Sequence, residues 1–440
     1  MSSVSGFRLR ASATLRALIP VARLAPWIAL LLPLFVYNIG FRFQGGGDST
    51  PAELLPISLF HGHGFDFREF VSGDFPYWFR LVRGRVVSNY PVLPGLLNVP
   101  TYAAARLAHV DLETHGSFLS ALTASAIAAL SVLFLYLALT YVCRSKSEAL
   151  LLALVYAFGT TVWSVASRAM MQHAPSVLFL SIALWALLRG GKTVPWAGLA
   201  LGLAVVNRPA NVVVAVPLAV YVLLYERRRV LAFSLLALVP GIFHLWYAKA
   251  YWGSPFSIAQ DVSTANFAGH MWSGLAGLLV SPSRGLLVFS SFFLFLVPGA
   301  VTVLRPLPPG RERLPRYLIV GILLMLLLYS RWVIWWGGHC FGYRLLTELT
   351  PSLTILLAVS YRRIARSHVL SFLFVLTVAL SVYIHFLGAM IAPSGFNDDI
   401  DLQQRRLWAI RNSEIELSTR KLIRELAPRL GVAARYSASE

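Results

Sequence analysis

The sequence is short of acidic residues, of charge in general and of cysteine. Asp and Glu supply 19 of the 440 residues, and only 13% of the chain is charged. A soluble chain of this length carries roughly 25% charged residues, so a soluble globular protein is excluded. The two cysteines, Cys143 and Cys340, fall in segments for which the loop charges predict opposite sides of a membrane, which argues against a disulfide framework.

In place of charge, the sequence has long apolar runs. The hydrophobic fraction is 57% and the mean hydropathy is +0.67. Runs long enough to cross a hydrocarbon core of about 30 Å recur along the chain, which predicts an all-α polytopic membrane protein with about eleven spanning helices. The predicted spans are roughly 25–42, 117–142, 147–165, 174–189, 193–207, 210–225, 229–248, 285–304, 316–334, 345–360 and 369–391.

The basic residues that produce the net charge of +19 collect in short loops. These loops are CRSKSE, RGGK, YERRR, RPLPPGRERLPR and YRRIARSH. Cytoplasmic loops of membrane proteins carry such an excess, so the charge does not indicate nucleic-acid binding. It predicts a cytoplasmic N-terminus, with the first apolar run kept as an uncleaved span because no small-residue cleavage site follows it.

The same topology predicts three substantial segments on the external side of the membrane. Residues 1–392 form the transmembrane module, with external loops at 43–116 and 249–284, and a short tail at 393–440. The first loop is too polar to span the membrane but is rich in aromatic residues. Short amphipathic helices lying in the interface fit that composition.

Asp48 is notable among the few carboxylates because it follows three glycines just after the first predicted span. Glycine allows close approach of the backbone to a ligand. The next residues predict a helix start, with Ser49 or Thr50 as cap and Pro51 at the first helical position. Sugar transfer needs a carboxylate that takes a proton from the acceptor hydroxyl, and Asp48 is the candidate base. A plain turn or cap role is the alternative.

Cations that stabilise the charge on a departing phosphate are also needed, and three arginines on the predicted external face qualify. Arg284 lies at the entrance to the eighth span, Arg344 at the start of the tenth, and Arg208 in the sequence VNRPAN. Arg284 has the alternative of snorkelling at the interface. Arg344 has the alternative of an ordinary ion pair with Glu348, four residues later on one helix face.

Other polar and aromatic residues near the same face are candidates for binding the substrate. They are Glu53, Tyr90, Gln172, His173, Trp336, His339, Tyr343 and Glu348. Gln172 and His173 suit a ligand rich in hydroxyls, although a lone histidine is more often structural. The tryptophans suit either a sugar ring or an aromatic belt at the membrane interface.

The sequence gives a weak signal for metal binding. His61 and His63 lie near Asp66 and Glu69, but a single His-x-His in a loop is weak evidence alone. A divalent-metal mechanism would favour a second acidic residue beside Asp48, and the stretch GGGDSTP has none. We therefore predict no catalytic metal and no cofactor.

An ordered set of short motifs resembles the GT-C superfamily of integral-membrane glycosyltransferases, which includes protein O-mannosyltransferases and aminoarabinose transferases. The likeness is greatest to bacterial members of the dolichyl-phosphate-mannose-protein mannosyltransferase-like group, from about residue 40 to 410. The motifs, in chain order, are GGGDSTPAELLP, SNYPVLPG, QHAP, NRP, YWGSPF, SPSRGLLVFS and WWGG…GYR.

The resemblance implies a polyprenyl-phosphate donor of a hexose or pentose and transfer with inversion on the periplasmic face of a bacterial inner membrane. It also implies that Asp48 is the general base and that Arg344 or Arg284 contacts the donor phosphate. The expected acceptor is a cell-envelope glycan or glycolipid. Two alternatives are a flippase for polyprenyl-linked sugars, which would carry polar residues through the midplane of several helices, and an O-antigen ligase or polymerase, which would have a longer late external loop.

Overall fold

The computed structural model describes residues 23–40, 45–257, 264–304, 311–392 and 394–426. The predicted cytoplasmic N-terminal segment before residue 23 and the end of the predicted tail, 427–440, lie outside these residues. Helices make up most of the described chain, as the composition predicts.

The α-helices are numbered in chain order. They are α1 Arg23–Asn38, α2 Thr50–Phe60, α3 Leu93–Leu107, α4 Leu112–Leu139, α5 Lys146–Phe158, α6 His173–Arg189, α7 Val194–Asn207, α8 Val212–Tyr225, α9 Val230–Tyr247, α10 Met271–Val280, α11 Leu286–Phe289, α12 Val297–Leu304, α13 Leu314–Ser330, α14 Thr350–Ile364, α15 His368–Met390 and α16 Glu414–Leu426.

Three helical segments in the described part of the chain are long and apolar enough to cross a membrane by length and composition. They are Leu112–Leu139, Arg227–Trp252 and His368–Met390. Shorter apolar helices accompany them, and every segment predicted as a span from hydropathy contains at least one helix or helical turn. The chain is therefore consistent with an all-α membrane protein, and the number of helices that cross the bilayer remains a prediction.

Helices α7 and α9 pack with their backbones in contact. A Cβ atom at Gly198 would lie 2.1 Å from the carbonyl oxygen of Phe233, and one at Gly202 would lie 2.5 Å from that of Ala237. The two glycines are four residues apart and so face the same way on α7. Small residues at this spacing are common where apolar helices approach closely in membranes.

The prediction of an all-α fold misses a small β-hairpin in the first loop. Strands β1 (Phe79–Val82) and β2 (Arg85–Ser88) are antiparallel, with Phe79 opposite Ser88. Arg83 and Gly84 form the two-residue turn with φ of 50° and 75°, and positive φ at both central residues is what a type I′ hairpin turn requires.

The first loop contains short helices, as predicted, and with the hairpin they form a compact layer with its own core. That these helices lie in the membrane interface stays a prediction. Helix α2 packs on α3, where Gly95 gives Leu55 room: a Cβ at Gly95 would lie 2.7 Å from that side chain. A second core cluster joins the helices, the hairpin and the end of α9. Its buried members are Leu55, Phe65, Phe67, Phe79, Val86, Val92 and Tyr247.

Candidate active site

Asp48 lies two residues before α2, at a close approach of the chain to the hairpin. A Cβ atom at Gly47 would lie 2.3 Å from the hydroxyl of Tyr77 and 2.4 Å from the indole of Trp78, whereas one at Gly46 would meet nothing within 4 Å. The third glycine of the run is therefore required by space, and the second is not. Ser49 is the residue before the helix, one of the two predicted caps, but Thr50 is the first helical residue and Pro51 the second, not the first as predicted. The Ser49 hydroxyl donates to the carbonyl of Gly46 and does not bind a helix amide.

The Asp48 carboxylate has protein partners at both oxygens. Oδ1 accepts hydrogen bonds from the hydroxyls of Tyr90 and Tyr77, the latter at 3.1 Å, and Oδ2 pairs with the Arg344 guanidinium. The hairpin explains the two phenols, because Tyr77 precedes β1 and Tyr90 follows β2, so both stand at its open end. Asp48 thus joins the first loop to the region before α14.

These partners control the charge on Asp48. Burial alone would raise the pKa of Asp48, but the positive charge of Arg344 and the hydrogen bonds of Tyr90, Arg344 and Tyr77 hold it well below its usual range. Burial, followed by the neighbouring Asp48 charge, raises the pKa of Tyr77 to about 12 and that of Tyr90 further still. At neutral pH the aspartate is ionised and both phenols are hydrogen-bond donors.

Arg344 is held from behind by a buried histidine. Its Nε donates to Nε2 of His173 at 2.9 Å, and Nδ1 of His173 lies 2.8 Å from Oε1 of Glu348. Because Nε2 accepts from the guanidinium, the ring proton sits on Nδ1 and is donated to Glu348. The side chains of Asp48 and Arg344 are 21% and 16% exposed, while those of His173 and Glu348 are 1% and 0% exposed, so the chain of contacts runs inward from an accessible end.

Arg208 closes the inner end of this chain. Its Nη1 lies 3.3 Å from Oε1 of Glu348, and its Nε donates to the hydroxyl of Tyr329 at 3.0 Å. The buried Glu348 carboxylate is therefore balanced by a buried cation. Its other oxygen, Oε2, has no hydrogen-bond partner among the described residues.

Arg344 and Glu348 do not lie on one helix face, contrary to the prediction. Residues Arg344–Leu349 form a 3₁₀ helix that leads into α14. With three residues per turn, side chains four apart point about 120° away from each other. Arg344 consequently turns toward Asp48, and Glu348 toward His173 and Arg208.

Arg284 belongs to a second cluster, in which all its partners are protein groups. Its Nη1 donates to Oε2 of Glu414 at 2.7 Å and to the carbonyl of Ser283. Its Nε donates to the carbonyl of Trp336 at 3.1 Å, and its Nη2 donates to Oδ1 of Asn397 at 2.6 Å. Glu414 also accepts from the amide of Gly342 at 3.0 Å. Burial raises the pKa of Glu414 despite the nearby Arg284 charge. This cluster attaches the start of α16 to the loop before Arg344.

Two other predicted substrate-binding residues support elements around Asp48. Glu53 accepts hydrogen bonds of 2.9 Å from the hydroxyls of both Ser49 and Ser117, which ties the start of α2 to α4. The main-chain carbonyl of Gln172 accepts from Asn207 at 2.6 Å, while its side-chain Nε2 is buried with no partner in the described part of the chain.

The remaining three predicted residues have contacts outside the Asp48 network. Tyr343 is buried, and its hydroxyl lies 2.6 Å from that of Ser290. Trp336 is buried in the cluster with Phe396. His339 is exposed and lies 2.9 Å from Asp401.

Two residues of the network escaped the sequence analysis. Tyr77 would have been found by recognising VRGR as a hairpin turn, since the hairpin aligns it with Tyr90. No sequence pattern predicts that Tyr329 belongs to the network, because it lies within the apolar sequence of α13.

The structure also locates the groups that could hold a ligand or a metal. The described residues contain one group of three His, Cys, Asp or Glu side chains within reach of a single ion, formed by His61, His63 and Glu69 beyond the far end of α2. Two surface clefts of about 390 and 530 Å³ are lined by residues around Arg228 and around Ile410. Asp48 lines neither cleft, so we locate the candidate site by its side-chain chemistry.

Comparison with known proteins bears on this site. Residues 107–252, about a third of the chain, match the model of the dolichyl-phosphate-mannose-protein mannosyltransferase family. This segment includes His173 and Arg208 but ends before Arg344. No curated protein matches the chain. The family match confirms the resemblance found in the motifs and supports a membrane glycosyltransferase of the GT-C type.

Proposed function

We propose that this protein transfers a hexosyl or pentosyl group from a polyprenyl phosphate to a hydroxyl of a cell-envelope glycan or glycolipid. Transfer proceeds with inversion at the periplasmic face of a bacterial inner membrane. The observation that carries the proposal is the pairing of Asp48 with Arg344 across 296 residues of sequence. It brings a carboxylate suited to be a general base against a cation suited to bind the donor phosphate.

The two partners have separable tasks. Asp48 takes the proton of the acceptor hydroxyl while the hydroxyl oxygen attacks the anomeric carbon of the donor sugar. Arg344 stabilises the negative charge that grows on the phosphate as the bond between sugar and phosphate breaks. While they are paired, the depressed pKa makes Asp48 a weak base. A donor phosphate that competes for Arg344 raises the basicity of Asp48, so the base becomes active when donor is bound.

The groups behind Arg344 position it for this exchange. His173 accepts from Nε, which leaves the terminal nitrogens of the guanidinium as the groups that face Asp48 or a phosphate. Glu348 fixes the histidine tautomer that accepts this bond, and Arg208 balances the charge of Glu348. We therefore assign His173, Glu348 and Arg208 as positioning residues, and Arg344 as the phosphate ligand.

Arg284 receives a different assignment from the other arginines. Each of its nitrogens donates to a protein acceptor, so a phosphate would have to displace contacts that hold the loop before Arg344. We propose that Arg284 anchors this loop. Trp336 and Tyr343 lie at the two ends of this loop and contribute to its fold. His339 faces solvent beside Asp401.

The proposal is tested with purified full-length protein, a polyprenyl-phosphate sugar and an envelope extract. The wild type should transfer sugar and Asp48→Asn should not, while Asp401→Asn, which alters an exposed carboxylate, should behave like the wild type. Full transfer by Asp48→Asn would remove Asp48 as the base. If the wild type transfers no sugar but moves the sugar lipid across vesicles, the protein is a flippase.

A further inference from the structure

A cluster of metal-binding side chains lies where the chain leaves α2. Nδ1 of His61 is 2.8 Å from Oε2 of Glu69, and Nδ1 of His63 is 3.1 Å from Oε1 of the same carboxylate. One potential ligand atom from each of the three residues lies within 4.8 Å of the other two. We propose that His61, His63 and Glu69 form a binding site for a divalent ion of the Zn²⁺ class, separate from the transfer site.

The spacing suits an ion of this size. Ligand atoms about 2.0–2.1 Å from a metal stand about 2.8–3.4 Å apart, with octahedral geometry at the lower end and tetrahedral geometry at the upper end. The two His–Glu distances lie within this range, so small side-chain movements would admit an ion. Two imidazoles and one carboxylate favour Zn²⁺ and its transition-metal neighbours over Mg²⁺ or Ca²⁺, which prefer all-oxygen ligand sets.

The histidines are positioned by backbone contacts that do not require a metal. The amide of His61 donates to the carbonyl of Ile57 at 3.0 Å and ends α2, and the amide of His63 donates to the carbonyl of Ser58 at 3.0 Å. Gly62 lies between them with φ of 82°. This left-handed residue turns the chain back onto the helix, so both rings reach the same carboxylate.

Glu69 is placed by an equally well-defined turn. It is the middle residue of the 3₁₀ turn Arg68–Phe70. Oδ1 of Asp66 accepts from the amides of Arg68 at 3.1 Å and Val86 at 3.0 Å, which attaches this turn to β2. Asp66 is thus occupied in supporting the loop, and Glu69 is the carboxylate available to the histidines.

The site is open to solvent and distant from Asp48 along α2. The side chains of His61 and His63 are 45% and 52% exposed, which leaves coordination positions for water. Helix α2 has 11 residues, a length of about 16 Å, and Asp48 lies beyond its other end. The ion would therefore connect the end of α2 to the turn that carries Glu69 and, through that turn, to the hairpin. It would have no part in proton transfer.

Binding requires a change of histidine tautomer. Both Nδ1 atoms face the Glu69 carboxylate and act as its donors. Coordination needs their lone pairs, so the ring protons move to Nε2 and the ion takes over the bridge to the carboxylate.

The test uses full-length protein in detergent, stripped with a chelator and titrated with Zn²⁺ in a calorimeter. The expected result is one equivalent of saturable binding that weakens at least about tenfold in His63→Gln and in Glu69→Gln. His339→Gln, which alters an exposed histidine with one carboxylate partner, should bind like the wild type. Zinc X-ray absorption should show two imidazoles and oxygen ligands in the wild type and one imidazole fewer in His63→Gln.

Equal binding by the wild type and both site variants, or no saturable binding by the wild type, would overturn the proposal. Thermal melting gives a second readout that is independent of transferase activity. Zn²⁺ should raise the melting temperature of the stripped wild type and of His339→Gln. It should leave that of His61→Gln/His63→Gln unchanged, and an equal rise in this double variant would also overturn the proposal.

Discussion

Two of the arginine–carboxylate pairs among the described residues differ in how many other protein groups bind them and in how exposed they are. In the pair of Arg284 and Glu414 the side chains are 1% and 3% exposed, and further acceptors engage the other guanidinium nitrogens. In the pair of Arg344 and Asp48 they are 16% and 21% exposed. The first pair is enclosed, whereas the second stands at the accessible end of a buried chain.

This difference in exposure distinguishes a pair that anchors the fold from a pair that can take part in catalysis. Removing one partner of an enclosed pair leaves a buried, uncompensated charge, so such a pair is costly to open. A group that must exchange a protein partner for a substrate needs solvent access and partners it can release. Motif position alone presents Arg284 and Arg344 as equivalent candidates, and their surroundings distinguish them.

The largest effect on stability should come from breaking the enclosed pair. Arg284→Met leaves Glu414 buried without its cation and should lower the free energy of unfolding by about 3–5 kcal/mol. Denaturant or thermal unfolding in detergent measures this loss. Arg284→Met/Glu414→Leu should recover part of the stability, because neither charge then remains buried alone. If Arg284→Met were as stable as the wild type but failed to bind donor, Arg284 would be a phosphate ligand.

The open pair should respond more in activity than in stability. Arg344→Gln removes the proposed phosphate cation and should lower kcat/KM by about 10²–10³-fold, the usual effect of losing a group that stabilises developing charge. Arg344→Lys keeps the charge but loses the fork that engages His173 and Asp48 together, so it should fall between Gln and the wild type. Transfer kinetics with a defined donor distinguish these variants. Unchanged kcat/KM in Arg344→Gln would contradict the assignment.

The glycine run offers a matched pair of smaller changes. Gly47→Ala forces Tyr77 and Trp78 away from the new methyl group, and overpacking of this kind costs about 1–3 kcal/mol. We expect transfer to fall about tenfold because Tyr77 no longer holds Asp48 in place. Gly46→Ala points into open space and should match the wild type. Equal activity of the two variants would show that the close approach at Gly47 is not needed.

The smallest effect should be a shift in pH dependence. The pKa of Asp48 in the folded protein is depressed, so its contribution to stability is present above the unfolded value of about 3.9 and is lost as pH falls through the folded pKa. The value of kcat/KM, whose pH dependence reports the free enzyme, should fall as the pH drops through this depressed pKa of Asp48. We call this fall the acid limb of the pH profile. Tyr90→Phe removes a hydrogen bond that favours the charged carboxylate, so the limb should move to higher pH.

The matched control for this shift is Tyr383→Phe. Its hydroxyl bonds Thr419 at the surface, 3.0 Å away. The pH profile of this variant should coincide with that of the wild type. Coincident profiles for Tyr90→Phe and the wild type would mean that Tyr90 does not control the charge of Asp48.

The features that the sequence predicts best are local ones. The apolar segments become helices because their length and hydropathy are set within each segment, and the start of α2 follows from Ser49, Thr50 and Pro51. Asp48 and Arg344 were each found from short motifs. Neither motif contains the information that the two side chains meet, since that depends on the packing of the intervening chain.

The features that were missed depend on backbone phase and on tertiary partners. The hairpin was hidden by its short strands and by the apolar composition around it. Residues 344–349 are predicted to follow α-helical spacing, but the 3₁₀ turn changes the direction of Glu348 by about 80° relative to that expectation. The partners of Arg284 come from Trp336, Asn397 and Glu414, which no local pattern connects to it.

The hairpin has a mechanical consequence for the carboxylate at its open end. At its turn, Nη2 of Arg83 lies 3.5 Å from the carbonyl of Gly253, and Nη1 of Arg85 lies 3.4 Å from that of Ala250, both just after α9. The two strands have four residues each, so the hairpin is about 14 Å long. The hairpin therefore links the chain after α9, which it contacts at its turn, to both phenols that bind Asp48 at its open end.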